Sequence, residues 1–469
     1  MKLSALFLLL ALPLSAQTIR YIAPASGGGS DGNSGTDAGH PWLTPNHSLT
    51  APTVILAAAG AYSSANFQQS LWGTCTSTGD LCWLKCATFD TCTVATTNGT
   101  AGFQLGKSYW GVQGFEVTTG GGNNYAACFM TYAASVPLSH IVFANNIANG
   151  CEAAGIALSN QSVSLSFDYV AIIGNAVYNA AQSNTLCYSG IGIYQPINAD
   201  TLPGTHIYIA GNFSWDNLVP DPCGGFNPPF DGEGINADTL DGSQGGLASP
   251  YSGQVVIDNN ISIFNGSFGA GTTGGGNTAA PLYIRHNTFY GNAKDSNQNF
   301  PQCGQAVLFG NPNKSANAEI YGNLAETTLA TGGLCGGTNP QYVFYVYNGN
   351  GTDHTYSNFG YSAAGHNTGS SSSTGFSDGP NQTFGTDPAF ANPVDPGPPS
   401  CSSASSVPNC MATVIANFTP TTAAAKNYGY QIPSTTSRYD PLYPQWLCSV
   451  TNLPSGLVTP GCVTARNWN

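Results

Sequence analysis

The sequence feature that most constrains the fold is a short apolar segment that ends in asparagine and recurs six times. Each copy is a strand-like stretch of alternating apolar residues, and successive copies lie 27 to 48 residues apart. Their terminal asparagines are Asn146, Asn175, Asn212, Asn260, Asn287 and Asn323. Between most copies lies a second strand-like stretch, generally led by glycine, as at residues 154–160, 189–196, 232–239 and 305–311.

A unit that repeats in one order predicts a solenoid, because each copy needs its neighbours to bury its apolar side. A β-sandwich also contains short alternating strands, but it would not repeat one strand–Asn–strand pattern six times in the same order. We therefore predict an all-β chain folded as a right-handed parallel β-helix. The recurrent asparagines are expected to hydrogen-bond from coil to coil.

Composition agrees with β-structure and limits the classes of partner. The 58 glycines favour tight turns over helices. Only 7% of residues are charged and the net charge is −13, so no basic patch is present to bind nucleic acid or an anionic membrane. An acidic protein can still bind an acidic polymer when a cation bridges the two.

The N-terminus and the cysteines predict export. Residues 1–16 have one lysine, an apolar run and small residues before Gln17, which is typical of a secretory signal peptide cleaved after Ala16. No later apolar run approaches the roughly 20 residues of a membrane span. The 14 cysteines favour disulfides over zinc in a secreted or cell-surface protein.

Spacing suggests which cysteines pair. We expect local bridges within the group Cys75, Cys82, Cys86 and Cys92, between Cys401 and Cys410, and between Cys448 and Cys462. Three further cysteines, Cys151, Cys187 and Cys223, lie 36 residues apart in succession. Stacking of adjacent coils could bring these within bridging distance.

The domain boundaries follow from these patterns. Residues 17–395 are predicted to form the β-helix, and residues 396–469 a disulfide-tied C-terminal cap or appendage. A Ser- and Gly-rich strip at residues 370–382 is expected to link the two. The ends of a solenoid need capping, and otherwise they offer a route to self-association.

The main candidate site is a group of four acids, Asp231, Glu233, Asp238 and Asp241, in a chain with only 23 acids. Such clustering costs electrostatic energy unless something offsets the repulsion. Oxygen ligands at this spacing suit Ca²⁺, and we predict that all four bind it in one surface groove. The alternative is that the two Asp-Gly pairs only form turns.

The segment DGEGINAD (231–238) resembles the Asp-Gly-Asn-Gly-Ile-x-x-Asp signature of the pectate-lyase-like superfamily. The segments at residues 21–45 and 384–393 are similar to the lead-in and closing segments of such proteins, so the resemblance covers about Tyr21 to Pro393. It implies a secreted β-helix that acts on polysaccharide. The superfamily includes lyases, hydrolases and non-catalytic members, so activity is less constrained than fold.

Lyases of this fold remove the proton alpha to a uronate carboxyl with a basic side chain, which makes Arg285 a candidate base or substrate clamp. Alignment of the repeats instead stacks Asp258 on Arg285, and an ion pair would explain both residues without chemistry. Candidate substrate-binding residues are Tyr194, His206 and His286.

Three functions remain open from the sequence. The first is a lyase that cleaves a uronate-containing glycan by β-elimination. The second is a glycoside hydrolase in which Asp238 and Asp241 act as acid and base. The third is a non-catalytic extracellular surface or filament protein.

Overall fold

The computed structural model describes most of the chain between residues 17 and 450. The parts left out of the description are residues 1–16, 78, 98, 121–125, 133–134, 161, 163, 183–186, 220–230, 241, 243–249, 274–281, 296–302, 310–316, 329–339, 348–352, 371–376, 400, 402–403, 432–439, 449 and 451–469. The predicted signal peptide therefore lies outside the described residues. Within the described part, strands dominate and form three long parallel sheets.

The three sheets wind together, because each coil contributes a strand to sheet 1, then to sheet 2, and in most coils to sheet 3. Sheet 1 contains Thr18–Ile22, Thr53–Ala57, Cys82–Cys86, Trp110–Gln113, Leu138–Ala144, Phe167–Ile173, Thr205–Ala210, Gln254–Asp258, Leu282–Arg285, Ala318–Tyr321, His354–Tyr356 and Ser377–Asp378. Sheet 2 contains Gly60–Ser63, Cys92–Ala95, Phe115–Thr118, Ile147–Asn149, Ala176–Tyr178, Phe213–Trp215, Ile261–Ile263, Thr288–Tyr290, Leu324–Thr327, Phe359–Ser362 and Thr383–Phe384.

Sheet 3 contains Phe103–Leu105, Phe129–Tyr132, Ile156–Ser159, Ile191–Tyr194, Ile235–Asp238, Ala270–Thr273, Gly304–Phe309, Tyr342–Tyr347 and Thr368–Ser370. A small fourth sheet pairs Leu49–Thr50 with Cys75–Thr76. The helices are short: Val407–Cys410, Ala412–Asn417 and Gln445–Cys448, with 3-10 turns at Ala25–Gly27, Ser64–Phe67, Gln69–Leu71 and Ala423–Ala425. The chain is a right-handed parallel β-helix, as predicted.

The core lies inside the coils, where alternate residues of each strand stack on the same position of the next coil. In sheet 3, Ile191 pairs with Ile235 and Ile193 with Ala237, and all four are fully buried. Because successive side chains of a strand point to opposite faces, the residues between them lie on the outer face of the sheet. This alternation places Tyr194 and Asp238 there.

The predicted asparagine ladder is confirmed. From Asn175 onward, each asparagine side chain accepts from the backbone N–H and the side-chain amide of the asparagine one coil earlier, as Asn212 does from Asn175 at 2.9 and 3.0 Å. The ladder continues beyond the predicted six residues to Asn358. Every buried amide in this row therefore has a partner in a neighbouring coil.

A second ladder, which the sequence analysis did not identify, runs parallel to the first. It begins at Asn217, whose amide donates to Asn265 at 2.8 Å, and continues through Asn292 to Gln305. Its asparagines lie five residues after Asn212, Asn260 and Asn287 of the first ladder. The fixed offset is the sequence signal that could have revealed it.

The C-terminal segment packs along the side of the solenoid. Apolar residues of its first part cover the outer face of sheet 2 around Trp215 and Ile263; they are Phe390, Val407, Met411, Val414 and Phe418. Farther on, Tyr443 and Leu447 pack against the outer face of sheet 1. In its described contacts, this segment therefore packs against two outer faces of the β-helix.

The Ser- and Gly-rich strip contributes to the solenoid where the structure describes it. Ser377–Asp378 pairs with His354–Tyr356 in sheet 1, and Thr383–Phe384 pairs with Phe359–Ser362 in sheet 2. Within residues 370–382, Ser377–Asp378 thus belongs to the last coil, whose next strand follows the strip. That the strip links the β-helix to the C-terminal segment stays a prediction.

Four disulfides join described cysteines, namely Cys75–Cys82, Cys86–Cys92, Cys128–Cys151 and Cys401–Cys410. The first two and the last confirm the expected local pairing. The expected bridge from Cys151 to Cys187 is wrong, because Cys151 bonds to Cys128 in the adjacent coil. Cys187 and Cys448 are also disulfide-bonded, whereas Cys223 and Cys462 lie outside the described residues.

Candidate active site on the outer face of sheet 3

The candidate site is built on the strand Ile235–Asp238 and on the turn that leads into it. Two positions in this turn require glycine for steric reasons. Gly232 has φ of 80°, which favours glycine, and its N–H donates to the carbonyl of Tyr188 at 2.8 Å. At Gly234 a Cβ would lie 2.0 Å from the Ser262 hydroxyl oxygen. These requirements account for the pattern Asp-Gly-Glu-Gly and hold Asp231 and Glu233 close together.

Asp231, which is partly exposed, and Glu233, which is buried, form a carboxyl pair. Glu233 has no solvent exposure, and its Oε2 accepts from the Ser189 hydroxyl at 2.7 Å. Its Oε1 has no donor within the described chain, while its carboxyl is a hydrogen-bonding neighbour of Asp231. Two carboxyl groups can hydrogen-bond only if one of them carries a proton. The pair is therefore suited to share a proton.

The surroundings of the pair favour its protonated form. Burial and the nearby Asp238 charge raise the pKa of Asp231 to about 7, against the lowering effect of its hydrogen bond with Glu233. Burial and the Asp231 charge raise the pKa of Glu233 well above its usual range, although the Ser189 hydroxyl acts in the opposite direction. One proton is therefore retained at a pH where ordinary carboxyls are ionised.

Asp238 and Tyr194 complete the described site. They are directly paired across sheet 3, and both are partly buried on its outer face. The Thr239 hydroxyl donates to Asp238 Oδ1 at 2.9 Å, and Gln195 donates to the Tyr194 hydroxyl at 3.0 Å. Burial and the charge of Asp238 raise the pKa of Tyr194, so this phenol is a proton donor rather than a phenolate.

Three of the four predicted metal ligands are thus neighbours, and Asp241 lies outside the described residues. In the part of the chain that the structure describes, no three His, Cys, Asp or Glu side chains are grouped so that they could hold a metal ion. Calcium binding, with Asp241 included, stays a prediction.

Arg285 lies on sheet 1 in a buried ion-pair network. Its guanidinium donates to Asp258 at 2.7 Å and to both carboxylate oxygens of Asp440. Arg285 and Asp258 are paired in register across adjacent coils, as the repeat alignment indicated. Burial alone would raise the pKa of Asp258, but the His286 hydrogen bond and the Arg285 charge hold it below its usual value.

The two candidate histidines also have internal partners. His206 is 1% exposed, and its ring nitrogens lie 3.0 Å from Asp168 and 2.9 Å from the carbonyl of Leu202. His286 lies with Nδ1 3.1 Å from Asp258 Oδ1 and keeps 40% of its side chain exposed. Neither is on sheet 3, so the structure places both apart from the carboxyl pair.

Sequence reasoning missed Ser189, which binds the carboxyl of Glu233. The signal was present in the repeat, because Ser189-Gly190-Ile191 lies one coil before Glu233-Gly234-Ile235 in the same register. In aligned coils, a polar residue beside a candidate catalytic acid is a direct neighbour. The comparison of successive coils therefore predicts contacts that motif spacing alone does not.

Comparisons with known proteins give likeness of fold. Neither a family model nor a curated protein sequence matches the chain. Pectate lyase Pel9A is 15% identical over 90% of this chain and 91% of its own, with a TM-score of 0.38. The A-module of the Azotobacter vinelandii mannuronan C-5 epimerase AlgE4 is 14% identical over 71% and 89%, with a TM-score of 0.34.

A PL6 family alginate lyase, AlyGC, is 10% identical over 90% of this chain and 60% of its own, with a TM-score of 0.38. At these values the comparisons carry no argument about this chain, and its activity is argued from the site. The predicted parallel β-helix is confirmed by the sheet topology. In the described residues no helix is long and apolar enough to cross a membrane.

Proposed function

We propose that this chain is a secreted carbohydrate-active enzyme that cleaves a polysaccharide on the outer face of sheet 3. The proposal rests on the Asp231–Glu233 pair beside Asp238, in which burial and neighbouring charge raise the pKa of both carboxyls. Carboxyl groups with separated pKa values are the means by which glycosidases combine a proton donor with an ionised group. The predicted signal peptide and the disulfides support an extracellular location.

In this proposal the carboxyl pair donates its proton to the glycosidic oxygen through Asp231, the partly exposed member, because Glu233 has no exposed surface. The carboxylate of Asp238 either stabilises the positive charge that develops on the sugar or activates a water molecule. Ser189 positions Glu233 through its hydrogen bond to Oε2. Tyr194, beside Asp238, provides a hydroxyl and an aromatic surface for a sugar ring.

Hydrolysis fits the described residues better than β-elimination, which the sequence favoured. Elimination needs a base and a positive charge to neutralise the uronate carboxyl. Arg285 is held by Asp258 and Asp440 on another sheet. The raised pKa of Tyr194 keeps its phenol protonated, so Tyr194 is not available as a base. A negatively charged site favours a neutral sugar at the point of cleavage.

Elimination is the second candidate, because a divalent cation would further reduce the repulsion among the three neighbouring acids. Asp241 would supply a fourth carboxylate to such an ion. The cation would then neutralise a uronate carboxyl that the site otherwise repels. This route predicts that activity depends on calcium, whereas acid-catalysed hydrolysis does not.

The test is to incubate the protein with neutral glucans and galactans and with pectin and alginate, with and without a chelator. Reducing ends are measured together with the ultraviolet absorbance of unsaturated uronate. We expect reducing ends without the absorbance, with activity insensitive to chelation. The Glu233→Gln variant should lose activity by about 10²–10⁴-fold, the usual contribution of a general acid.

Glu326→Gln is the matched control, because burial and Asp387 raise the pKa of Glu326 to about 7 on a different sheet. It should retain activity. Unsaturated products that require calcium would instead establish the elimination route. Long filaments in electron micrographs, with no turnover of any glycan, would favour the non-catalytic alternative and refute the enzyme.

A further inference from the structure

The turn of residues 198–204 is held against sheet 1 by two buried side chains, Asp168 and His206. The turn follows the strand Ile191–Tyr194 of the candidate site and leads into the strand Thr205–Ala210. Asp168 has no solvent exposure and His206 is 1% exposed, whereas most of the turn above them is exposed. A small group of internal bonds therefore sets the position of an otherwise exposed segment.

Asp168 is surrounded by hydrogen-bond donors. Its oxygens accept from the backbone N–H of Tyr169 at 2.9 Å and from that of Ala199, in the turn, at 2.8 Å. They also accept from the Tyr251 hydroxyl, and both lie 3.0 Å from His206 Nδ1. Such surroundings suit a carboxylate, which can only accept. The bond between Asp168 and His206 therefore uses a hydrogen on Nδ1.

His206 has a hydrogen-bond acceptor at each ring nitrogen. Its Nε2 lies 2.9 Å from the carbonyl oxygen of Leu202 in the turn, and a carbonyl oxygen can only accept. A neutral imidazole has one N–H, so two such bonds require the charged imidazolium. This cation forms a buried ion pair with Asp168 and stacks on the ring of Tyr169, with 4.2 Å between the ring centroids.

The charges around His206 favour this cation. Burial alone would lower the pKa of His206, but the hydrogen bond and charge of Asp168 act in the opposite direction. The bond to the Leu202 carbonyl and the charge of Asp200 add to that effect, and the pKa of His206 is raised above its usual value. The imidazolium is therefore retained at a pH where an ordinary histidine has become neutral.

The other titratable side chains that face His206 keep their protonation near neutral pH. Burial lowers the pKa of His140, two coils earlier, to about 4, so that ring is neutral. Burial also raises the pKa of Tyr169 and of Tyr251, so both hydroxyls stay protonated. His206 is therefore the member of this cluster whose charge changes as the pH rises through its raised pKa.

We propose that His206 is a pH-sensitive latch, which holds the turn 198–204 against sheet 1 while it is charged and releases the turn when it is neutral. Loss of one proton to solvent leaves the imidazole with a single N–H, which Asp168 retains because a carboxylate is the stronger acceptor. The lone pair of Nε2 then faces the carbonyl oxygen of Leu202, and the two acceptors repel each other. The latch is closed at low pH and opens as the pH rises.

The turn borders the two chain segments that leave the candidate site. It begins four residues after Tyr194. Within it, Asn198 Oδ1 accepts from the N–H and the hydroxyl of Ser252, which belongs to the connection that follows Asp238. Release of the turn thus loosens the edge of the site. The inference concerns the order of the turn, and it does not require that the carboxyl site be catalytic.

The test combines two measurements over a range from about pH 5 to 9. The first is a nuclear magnetic resonance titration of the protein labelled with ¹⁵N-histidine, in which the His206→Gln variant identifies the His206 signals among those of seven histidines. We expect both His206 ring nitrogens to be protonated at the acidic end, with a midpoint above about 6.5, the ordinary histidine value.

The second measurement is hydrogen exchange of the peptide that covers residues 198–204, corrected for the intrinsic exchange rate at each pH. Protection of this peptide should fall several-fold with the midpoint of His206. His206→Gln should abolish that fall, because no titrating group then holds the turn. His140→Gln is the matched control, since His140 is already neutral in this range, and it should keep the fall.

A midpoint below about 6.5 would overturn the proposal, because His206 would then be a neutral residue with a purely structural role. Protection of the turn that stays constant across the midpoint, or that falls equally in folded His206→Gln, would also overturn it. If His206→Gln fails to fold, the wild-type titration still decides, since contact with the Tyr169 ring assigns the His206 signals. Failure of the proposed cleavage would leave both measurements unaffected, so the two proposals fail separately.

Discussion

The asparagine ladder allows a stability prediction to be worked out from individual hydrogen bonds. Asn212 accepts from the backbone N–H and the amide of Asn175, and it donates to the carbonyl of Ile172 and to Asn260. All four bonds are buried. At a net contribution of roughly 0.5–1.5 kcal/mol each, Asn212→Ala should lower the free energy of unfolding by roughly 2–6 kcal/mol. This is a large part of the stability of an ordinary domain.

The assay is equilibrium unfolding in urea, followed by circular dichroism and by intrinsic fluorescence so that departures from two-state behaviour are detected. Asn46→Ala is the control, because Asn46 is exposed and its side chain has no hydrogen bond in the described structure. The control should change stability by less than about 0.5 kcal/mol. A loss below about 1 kcal/mol for Asn212→Ala, with an unchanged urea slope, would refute the view that the ladder holds the coils together.

Three further predictions concern stability. Arg285→Met should cost about 3–5 kcal/mol because it leaves Asp258 buried without its cation, yet it should retain glycan turnover; lost turnover in a folded variant would restore Arg285 as a catalytic candidate. Replacing Cys128 and Cys151 by serine should cost about 3 kcal/mol for a bridge between residues separated by 23 positions, as measured by urea unfolding, and no change would contradict the bridge. The free energy of unfolding should fall as pH rises from about 4 to 7. Asp231 and Glu326 have folded-state pKa values of about 7, so the folded chain binds more protons than the unfolded chain across that range. Urea unfolding at several pH values checks this, and stability that rises across the range would contradict it.

The fold was predictable because its information is local and repeated. A strand of alternating apolar residues followed by asparagine identifies one coil, and six copies in one order identify a solenoid. The same alignment gave the pairing of Asp258 with Arg285, since adjacent strands of a parallel sheet preserve register. It could not give Asp440, which reaches Arg285 from 155 residues later through packing of the C-terminal segment.

The acids of the candidate site were visible in the sequence, whereas Ser189 and the chemistry of the site were not. The shortage of acids elsewhere drew attention to Asp231, Glu233 and Asp238. Whether such acids bind a cation, share a proton or remain solvated depends on burial, which the sequence does not state. His206 illustrates the same limit, because its position in the strand stack did not reveal Asp168 and Leu202 as internal partners. Contacts between coils and with the C-terminal segment decide these cases.

The central claim of this account is that the carboxyl of Glu233 retains a proton near neutral pH. The chain has five glutamates, at positions 116, 152, 233, 319 and 326, so labelling with carboxyl-¹³C glutamate gives a small set of resonances for a titration by nuclear magnetic resonance. Because the pKa of Glu326 is also raised, its resonance would give a second high titration midpoint, and the Glu326→Gln variant removes that resonance.

In Glu326→Gln, we expect one resonance with a midpoint well above the usual range of glutamate, and this resonance should be absent when Glu233→Gln is added. In Asp231→Asn the midpoint should fall, because the Asp231 charge is one cause of the raised pKa. Glycan cleavage should be lost at high pH with the same midpoint as this resonance. If every glutamate of Glu326→Gln instead titrates below about 5, the carboxyl pair holds no proton at neutral pH and the proposed acid does not exist.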